Sequence, residues 1–287
     1  MERVFGADIR VVKEYQSAKI CREWLKCFDI DVSTYFNGLE SFKLVECVTT
    51  GLQFFDPSSL EGTESLYRNL SRLPWYYGRP DRWEYREALK VVQGTVLEIG
   101  CGDAFFLGRA KEKGCDVYGI EKETSRIPVS MREYVTDHDF FDYAKTHENF
   151  FDAIFAFQVL EHVSNVEGFL SATLSLLKKG GYLVLTVPNR DSFIKNDDNG
   201  LLDMPPHHMS RWNDKVFLNL QRFFPLTVEQ VKFEPLEPYH IQWYVNIALQ
   251  RWPVCRRFIR PFLNILLRLG LRKLIRGHTL YVELTKI

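Results

Sequence analysis

Gly100 and Gly102 follow an apolar run, Val96-Leu97-Glu98-Ile99, with only Cys101 between them. Glycines directly after a strand let a ligand approach the backbone where a Cβ would block it. A helix opening just behind them offers free N–H groups to an anionic group. Glu98 is an acid inside an apolar strand, and an unpaired buried carboxylate is costly. It therefore calls for a partner, such as a cationic group on the ligand. Glu121 ends the next apolar run, 19 residues after Gly102. At that spacing an acid can hold both hydroxyls of a ribose. A nicotinamide fingerprint would need a third glycine at position 105, which is Phe105, and has no acid two residues before its first glycine.

These residues sit in a strand–helix alternation that begins near residue 95. Strands are expected at 95–99, 116–120, near Val135, at 151–157 and at 182–187. Helices are expected to about Lys113, around 124–133 and over 163–178, the last terminated by Gly180-Gly181. Short apolar runs between helices indicate a parallel sheet covered on both faces. Further on, 212–223 reads as helix, 226–234 as strand, 241–275 as mostly helix and 279–285 as a last strand. Before the alternation, residues 1–78 read as irregular, with strands at 42–55 around Thr49-Thr50-Gly51. An aromatic cluster, Trp75-Tyr76-Tyr77, precedes a helix at 81–93 capped by Asp81.

The chain has 287 residues, 46% apolar and 26% charged, with 22 Phe, 13 Tyr and 6 Trp. That is ample core for a globular protein and excludes disorder as the dominant state. The sequence opens without an apolar signal region, and its most apolar stretch, around 258–271, is interrupted by Arg260, Pro261, Asn264 and Arg268. The six cysteines are scattered, which reads as a reducing, cytoplasmic setting. The formal charge is zero, from 37 Lys+Arg and 37 Asp+Glu, but its distribution is uneven. No acid lies between Pro238 and Val282, while Arg251, Arg256, Arg257, Arg260, Arg268, Arg272, Lys273 and Arg276 do. Such a patch fits an anionic partner.

The order E-x-G-x-G, acidic strand end, Phe151-Asp152-Ala153-Ile154, Leu160-Glu161-His162-Val163 and Leu177-Lys178-Lys179-Gly180-Gly181 resembles the class I S-adenosylmethionine-dependent methyltransferases. Within them the chain is similar to a large bacterial group with a P-P-H-H-x-S-x-W segment, here Pro205 to Trp212. The resemblance implies an α/β fold: a Rossmann-like, doubly wound seven-stranded sheet with an antiparallel last strand. To this are added an N-terminal lobe at 1–79 and a helical basic segment, 241–276, inside the 80–287 methyltransferase domain. It implies S-adenosylmethionine as cofactor, with Glu98, Gly100, Cys101 and Gly102 around its methionine part and Glu121 on its ribose. Asp139, with Asp137 close behind it, is the candidate for the adenine amine. Phe157 and Gln158 would lie beside the cofactor at the end of the fourth strand, and Tyr77 would lie in an aromatic lid.

Two departures from relatives bear on metals. Paired C-x-x-C zinc clusters are not matched by Cys21, Cys27 and Cys47. An E-x-x-E-H metal motif has Gln158 in place of its first acid, leaving Glu161 and His162. No metal is expected, and Glu161 and His162 are read equally well as a helix cap.

Methyl transfer needs a nucleophile held in line and, where necessary, stripped of its proton. Histidine is the natural base near neutral pH. His208 is the first candidate and His207 the second; the other reading is that both fix the lid by hydrogen bonds. The expected acceptor is a small molecule, sugar-containing or lipid-linked, methylated at oxygen. A cofactor-binding scaffold without catalysis and an RNA methyltransferase are the alternatives, although no RNA-binding module accompanies the basic patch. Arg260, Asn264, Arg268, Arg272 and Arg276 recur every four residues beside a broad apolar face. A helix so built can lie in an anionic membrane surface, which would make the protein peripheral to the membrane.

Overall fold

The computed structural model describes residues 8–76, 79–197, 200–250, 252 and 256–287. Tyr77 and Arg251, named above, lie outside the described residues, as does the cysteine Cys255. The strands are β1 (Ile9–Gln16), β2 (Ser41–Cys47), β3 (Gln53–Asp56), β4 (Thr95–Ile99), β5 (Asp116–Ile120), β6 (Val135–Thr136), β7 (Phe151–Phe157), β8 (Leu177–Pro188), β9 (Ser210–Arg211), β10 (Leu226–Pro235) and β11 (Arg276–Lys286). The helices are α1 (Ser17–Phe28), α2 (Ser33–Phe36), α3 (Glu64–Leu70), α4 (Trp83–Ala88), α5 (Phe105–Glu112), α6 (Phe140–Thr146), α7 (Val166–Leu176), α8 (Asp214–Leu220), α9 (Ile241–Ala248) and α10 (Arg256–Arg268).

Seven strands form one sheet in the order β10-β11-β8-β7-β4-β5-β6. β4 pairs in parallel with β5 and β7, and β7 with β8, whereas β11 runs antiparallel to both β8 and β10. The fold is therefore α/β and Rossmann-like, with an antiparallel last strand. Val96, Leu97, Glu98 and Ile99 are all buried, as strands covered on both faces require. One face is packed by Phe140, Phe169, Leu170, Leu174 and Phe217, the other by Trp83, Tyr85, Phe106, Leu107 and Ala110. From β4 the chain winds to β5 and β6 on one side and later to β7 and β8 on the other. A crevice opens at such a switch point, beyond the carboxyl ends of the strands.

The core makes a direct prediction. Phe155 is fully buried, with its ring 4.7 Å from that of Phe106. Phe155→Ala should cost about 3–5 kcal/mol of stability. Urea unfolding checks this, and a midpoint unchanged from the parent would contradict the packing described.

Several elements differ from the sequence expectation. The stretch before residue 78 is not irregular. It contains β1 and the twelve-residue helix α1, whose buried Ser17, Ile20 and Trp24 line one face. The hairpin around Thr49-Thr50-Gly51 forms as β2 and β3. A four-stranded sheet, β1-β2-β3-β9, takes its last strand from Ser210–Arg211, after the large sheet's β8. Leu201, Met204 and Met209 likewise join the core of the N-terminal region, packing with Trp24, Phe42 and Phe55.

The helix expected at 124–133 is replaced by two short 3₁₀ turns, Thr124–Arg126 and Val129–Tyr134, because Pro128 interrupts it and biases Ile127 to extended backbone. The helix at 81–93 shortens to α4, and Asp81 pairs with Arg86 at 2.9 Å instead of capping it. Gly180-Gly181 does not end a helix. α7 stops at Leu176, and the glycines bend β8 between the Phe151–Leu177 and Ala153–Tyr182 pairings, with Gly180 at φ +75°. Asn165, not Glu161 or His162, caps α7 by accepting from the Gly168 N–H at 3.0 Å.

Candidate active site

A cavity of about 980 Å³ lies over the carboxyl ends of β4, β5 and β7. That is the upper end of the range for ligand sites, with room for a cofactor and an acceptor together. Gly100, Cys101, Gly102, Glu121, Asp139, Phe157, Gln158, His207 and His208 all line it. Widely separated stretches of the sequence thus meet around one cavity. Gly100 and Gly102 adopt φ +69° and +54°, and a Cβ at Gly100 would meet Val159 Cγ2 at 2.7 Å. Ala104 and Gln158 are also left-handed, at φ +55° and +56°, which is unusual for residues with a side chain. Both close the turns that bring β4 and β7 to the cavity.

Glu121 holds the glycine turn. Its carboxylate accepts from the Gly102 N–H at 2.8 Å and the Glu123 N–H at 3.0 Å. Burial nevertheless pushes its carboxyl up from the ordinary range, against the lowering effect of those N–H groups. Asp139 caps α6, accepting from Phe141 and Asp142 N–H, and lies 3.7 Å from Lys122 Nζ. Glu98 is not on the cavity wall. It lies buried beneath the turn, where burial pushes its carboxyl well up and leaves Oε2 without a hydrogen-bond partner. Gln158 is fixed by its own N–H, which donates to the Thr186 carbonyl at 2.9 Å.

Three histidines crowd together at the cavity. His162, His207 and His208 each offer a ring nitrogen within 4.8 Å of the others. His162 Nδ1 donates to the His207 carbonyl at 2.7 Å, and His207 Nδ1 to the Leu202 carbonyl at 2.8 Å. The Tyr76 hydroxyl then donates to His207 Nε2 at 2.7 Å. Three imidazoles can share one divalent ion, but His207 has both nitrogens engaged, so the cluster as it stands offers His162 and His208. Burial brings His162 down to about 4. Burial, helped by neighbouring His162, His278 and Arg211, holds His208 well below its ordinary value; His207 is lowered by burial and by His208 and His162. All three are neutral imidazoles at neutral pH.

His208 is the histidine flanked by acids. Its Nδ1 is 3.4 Å from Asp203 Oδ1 and its Nε2 is 4.0 Å from Glu161 Oε1. Asp203 is in turn held by Arg211 Nε at 2.9 Å. Both carboxyl oxygens of Glu161 are buried without hydrogen-bond partners, and burial pushes that carboxyl well up. A carboxylate on Nδ1 fixes the tautomer that leaves Nε2 as the proton acceptor.

Residues 70–256 match a family described as a methyltransferase domain. The chain belongs to the class I S-adenosylmethionine-dependent methyltransferases. Its cofactor is S-adenosylmethionine. Similar relatives include the ubiquinone biosynthesis O-methyltransferase of Bradyrhizobium sp. (strain ORS 278), 30% identical over 112 residues, 37% of this chain and 44% of that one. The enzyme of the same name from Dechloromonas aromatica is 26% identical over 113 residues, 37% of this chain and 49% of its own. The chain thus spans less than half the length of these curated relatives. An S-adenosylmethionine-dependent methyltransferase from Mesorhizobium loti shares the fold at TM-score 0.50 and 17% identity, over 72% of this chain and 100% of that one.

The cavity is also lined by residues that the sequence did not single out. Asp203, Tyr67, Arg82, Glu84, Tyr239, His240 and His278 all line the cavity. No spacing rule marks them as a set, because they reach the cavity from several separate stretches of the chain. Only the acid-free run beginning at Pro238 set part of this region apart.

Proposed function

We propose that the enzyme methylates a hydroxyl oxygen of a small-molecule acceptor, sugar-containing or lipid-linked, with His208 as the base. The observation that carries this reading is the placement of His208 on the cavity wall, between Asp203 and Glu161, facing the glycine turn's cavity. The O-methyltransferase names of the matched relatives support oxygen as the acceptor atom.

S-adenosylmethionine supplies a methyl group already activated on a sulfonium, which passes to the acceptor as the O–CH₃ bond forms and the S–CH₃ bond breaks. Glu121 can accept from both ribose hydroxyls, and Phe157 and Gln158 border the same end of the cavity. Asp139, on the cavity lining, would meet the adenine amine. Gly100, Cys101 and Gly102 give the methionine part a wall without side chains in the way. His208 Nε2 takes the acceptor proton, and Asp203 on Nδ1 stabilises the resulting imidazolium. Tyr76 and the Leu202 carbonyl orient His207, the second candidate, beside it.

Transfer of labelled methyl groups from S-adenosylmethionine to a panel of phenolic, glycosyl and prenyl-linked alcohols tests the reading. An O-methylated product whose formation requires His208 supports it. Label found on nitrogen or carbon, or a rate indifferent to His208, would sink it.

The glycine turn makes its own prediction. A ligand at about 100 times its dissociation constant adds about 2.7 kcal/mol of stability. Gly100→Ala should lose most of that increment in a thermal-shift titration with S-adenosylhomocysteine, because its Cβ collides with Val159 at a backbone angle that side chains avoid. A full ligand-induced shift in the variant would show that the turn does not approach the cofactor.

A further inference from the structure

The basic segment has no part in the chemistry above, yet it is the most unusual surface of the molecule. Helix α10 buries only Leu267 completely and packs on α9 through Leu263. Phe258 is 72% exposed, Phe262 69%, Leu269 80% and Leu274 84%, with Ile265 and Leu266 more than half exposed. So many large exposed apolar side chains close together need a cover. Arg256, Arg257, Arg260, Arg268, Arg272, Lys273 and Arg276 surround them, and among the described residues no carboxylate pairs with any of the seven. The available partners are neutral: Arg256 and Arg260 donate to Asn246 Oδ1, and Arg272 donates to the Leu236 carbonyl. No helix among the described residues is long and apolar enough to cross a membrane.

We infer that the surface formed by residues 256–276 docks on an anionic lipid bilayer, with its apolar side chains in the headgroup–acyl boundary and its cations among the lipid headgroups. Charge decides between covers. A second copy of this chain would set seven unpaired cations against seven more, whereas an anionic bilayer meets them with opposite charge and accepts the apolar side chains as well.

Docking also places the cavity. Tyr239, His240 and Trp243 line it, and Trp243 lies on α9, the helix on which α10 packs. The bilayer would therefore lie beside the part of the cavity lined by Tyr239, His240 and Trp243. This names the acceptor class of the proposed function as membrane-borne and rests on that reading; the docking itself does not.

Co-sedimentation of the full chain with vesicles tests the docking without any methyl transfer. Vesicles of phosphatidylcholine alone are compared with vesicles of phosphatidylcholine mixed with phosphatidylglycerol. Binding should be about tenfold or more tighter to the mixed vesicles and should weaken as salt is raised. The triple variant Phe258→Ser, Phe262→Ser, Leu269→Ser should lose binding while keeping its circular dichroism and its thermal shift with S-adenosylhomocysteine, because the three side chains are exposed. Arg257→Gln, Arg268→Gln, Lys273→Gln should lose the preference for anionic lipid. Absence of vesicle binding overturns the inference, and so does equal binding to both vesicle types that neither variant changes. A dimer dissolved by Phe262→Ser, or salt-sensitive RNA binding, in a protein that ignores vesicles would overturn it in favour of that partner.

Discussion

Glu121→Ala should weaken S-adenosylmethionine binding by about a hundredfold or more, from two lost hydrogen bonds to a charged acceptor. The carboxylate stands at the end of β5 on the cavity wall, where two ribose hydroxyls can share it. It also ties down the N–H groups of Gly102 and Glu123, so the variant's melting temperature without ligand should fall too. The two effects separate cleanly. Calorimetric titration reads the affinity, and the shift added by S-adenosylhomocysteine reads binding against each variant's own baseline. Glu121→Gln keeps one acceptor oxygen and should fall between the two. An alanine variant that binds with the parent's affinity would remove Glu121 from the cofactor site.

His208→Ala should cut turnover by about a hundredfold to ten-thousandfold while leaving cofactor affinity nearly intact. The reason is positional: the imidazole lies on the cavity wall with Asp203 at Nδ1 and Glu161 4.0 Å from Nε2. The working base is the neutral imidazole, which predominates above the group's own pKa. Burial, helped by neighbouring His162, His278 and Arg211, holds that value well below the ordinary 6.5. The acid limb of kcat should therefore lie below pH 6.5, with the rate flat above it until another group titrates. Asp203→Asn tests the positioning role, because an amide can present either a donor or an acceptor to Nδ1 and no longer enforces one tautomer. It should lower kcat more than it changes KM. His207→Ala should cost less, since both nitrogens of that ring already serve Tyr76 and Leu202. A larger loss from His207 than from His208 would exchange their roles.

The glycine-turn end of the cavity was legible in the sequence because it is local. Gly100, Gly102 and Glu121 lie within two consecutive strand–turn units, where the strand period and the need for positive φ leave a visible pattern. Gln158 and Phe157 were legible for the same reason, at the end of β7. Glu98 shows the limit of such reading. Its type and spacing marked it, but only the packing shows that it lies beneath the turn with one oxygen unsatisfied. The N-terminal region was misread as irregular although Ile20 and Trp24 carry the helical spacing of α1. Its small sheet is closed by Ser210–Arg211, and no local signal announces a pairing across such a distance.

The sequence by itself determined the strand–helix alternation, the turn at the end of β4 and the acid at the end of β5, because periodicity and backbone sterics act over a few residues. It also determined the charge imbalance of the basic segment, which composition alone reveals. Only the tertiary structure decided which histidine has a carboxylate at its back, that Tyr76 occupies His207, and that the apolar face of α10 is uncovered. Those are outcomes of long-range packing: each depends on which surfaces are buried once the sheet, the N-terminal region and the long connections have found one another.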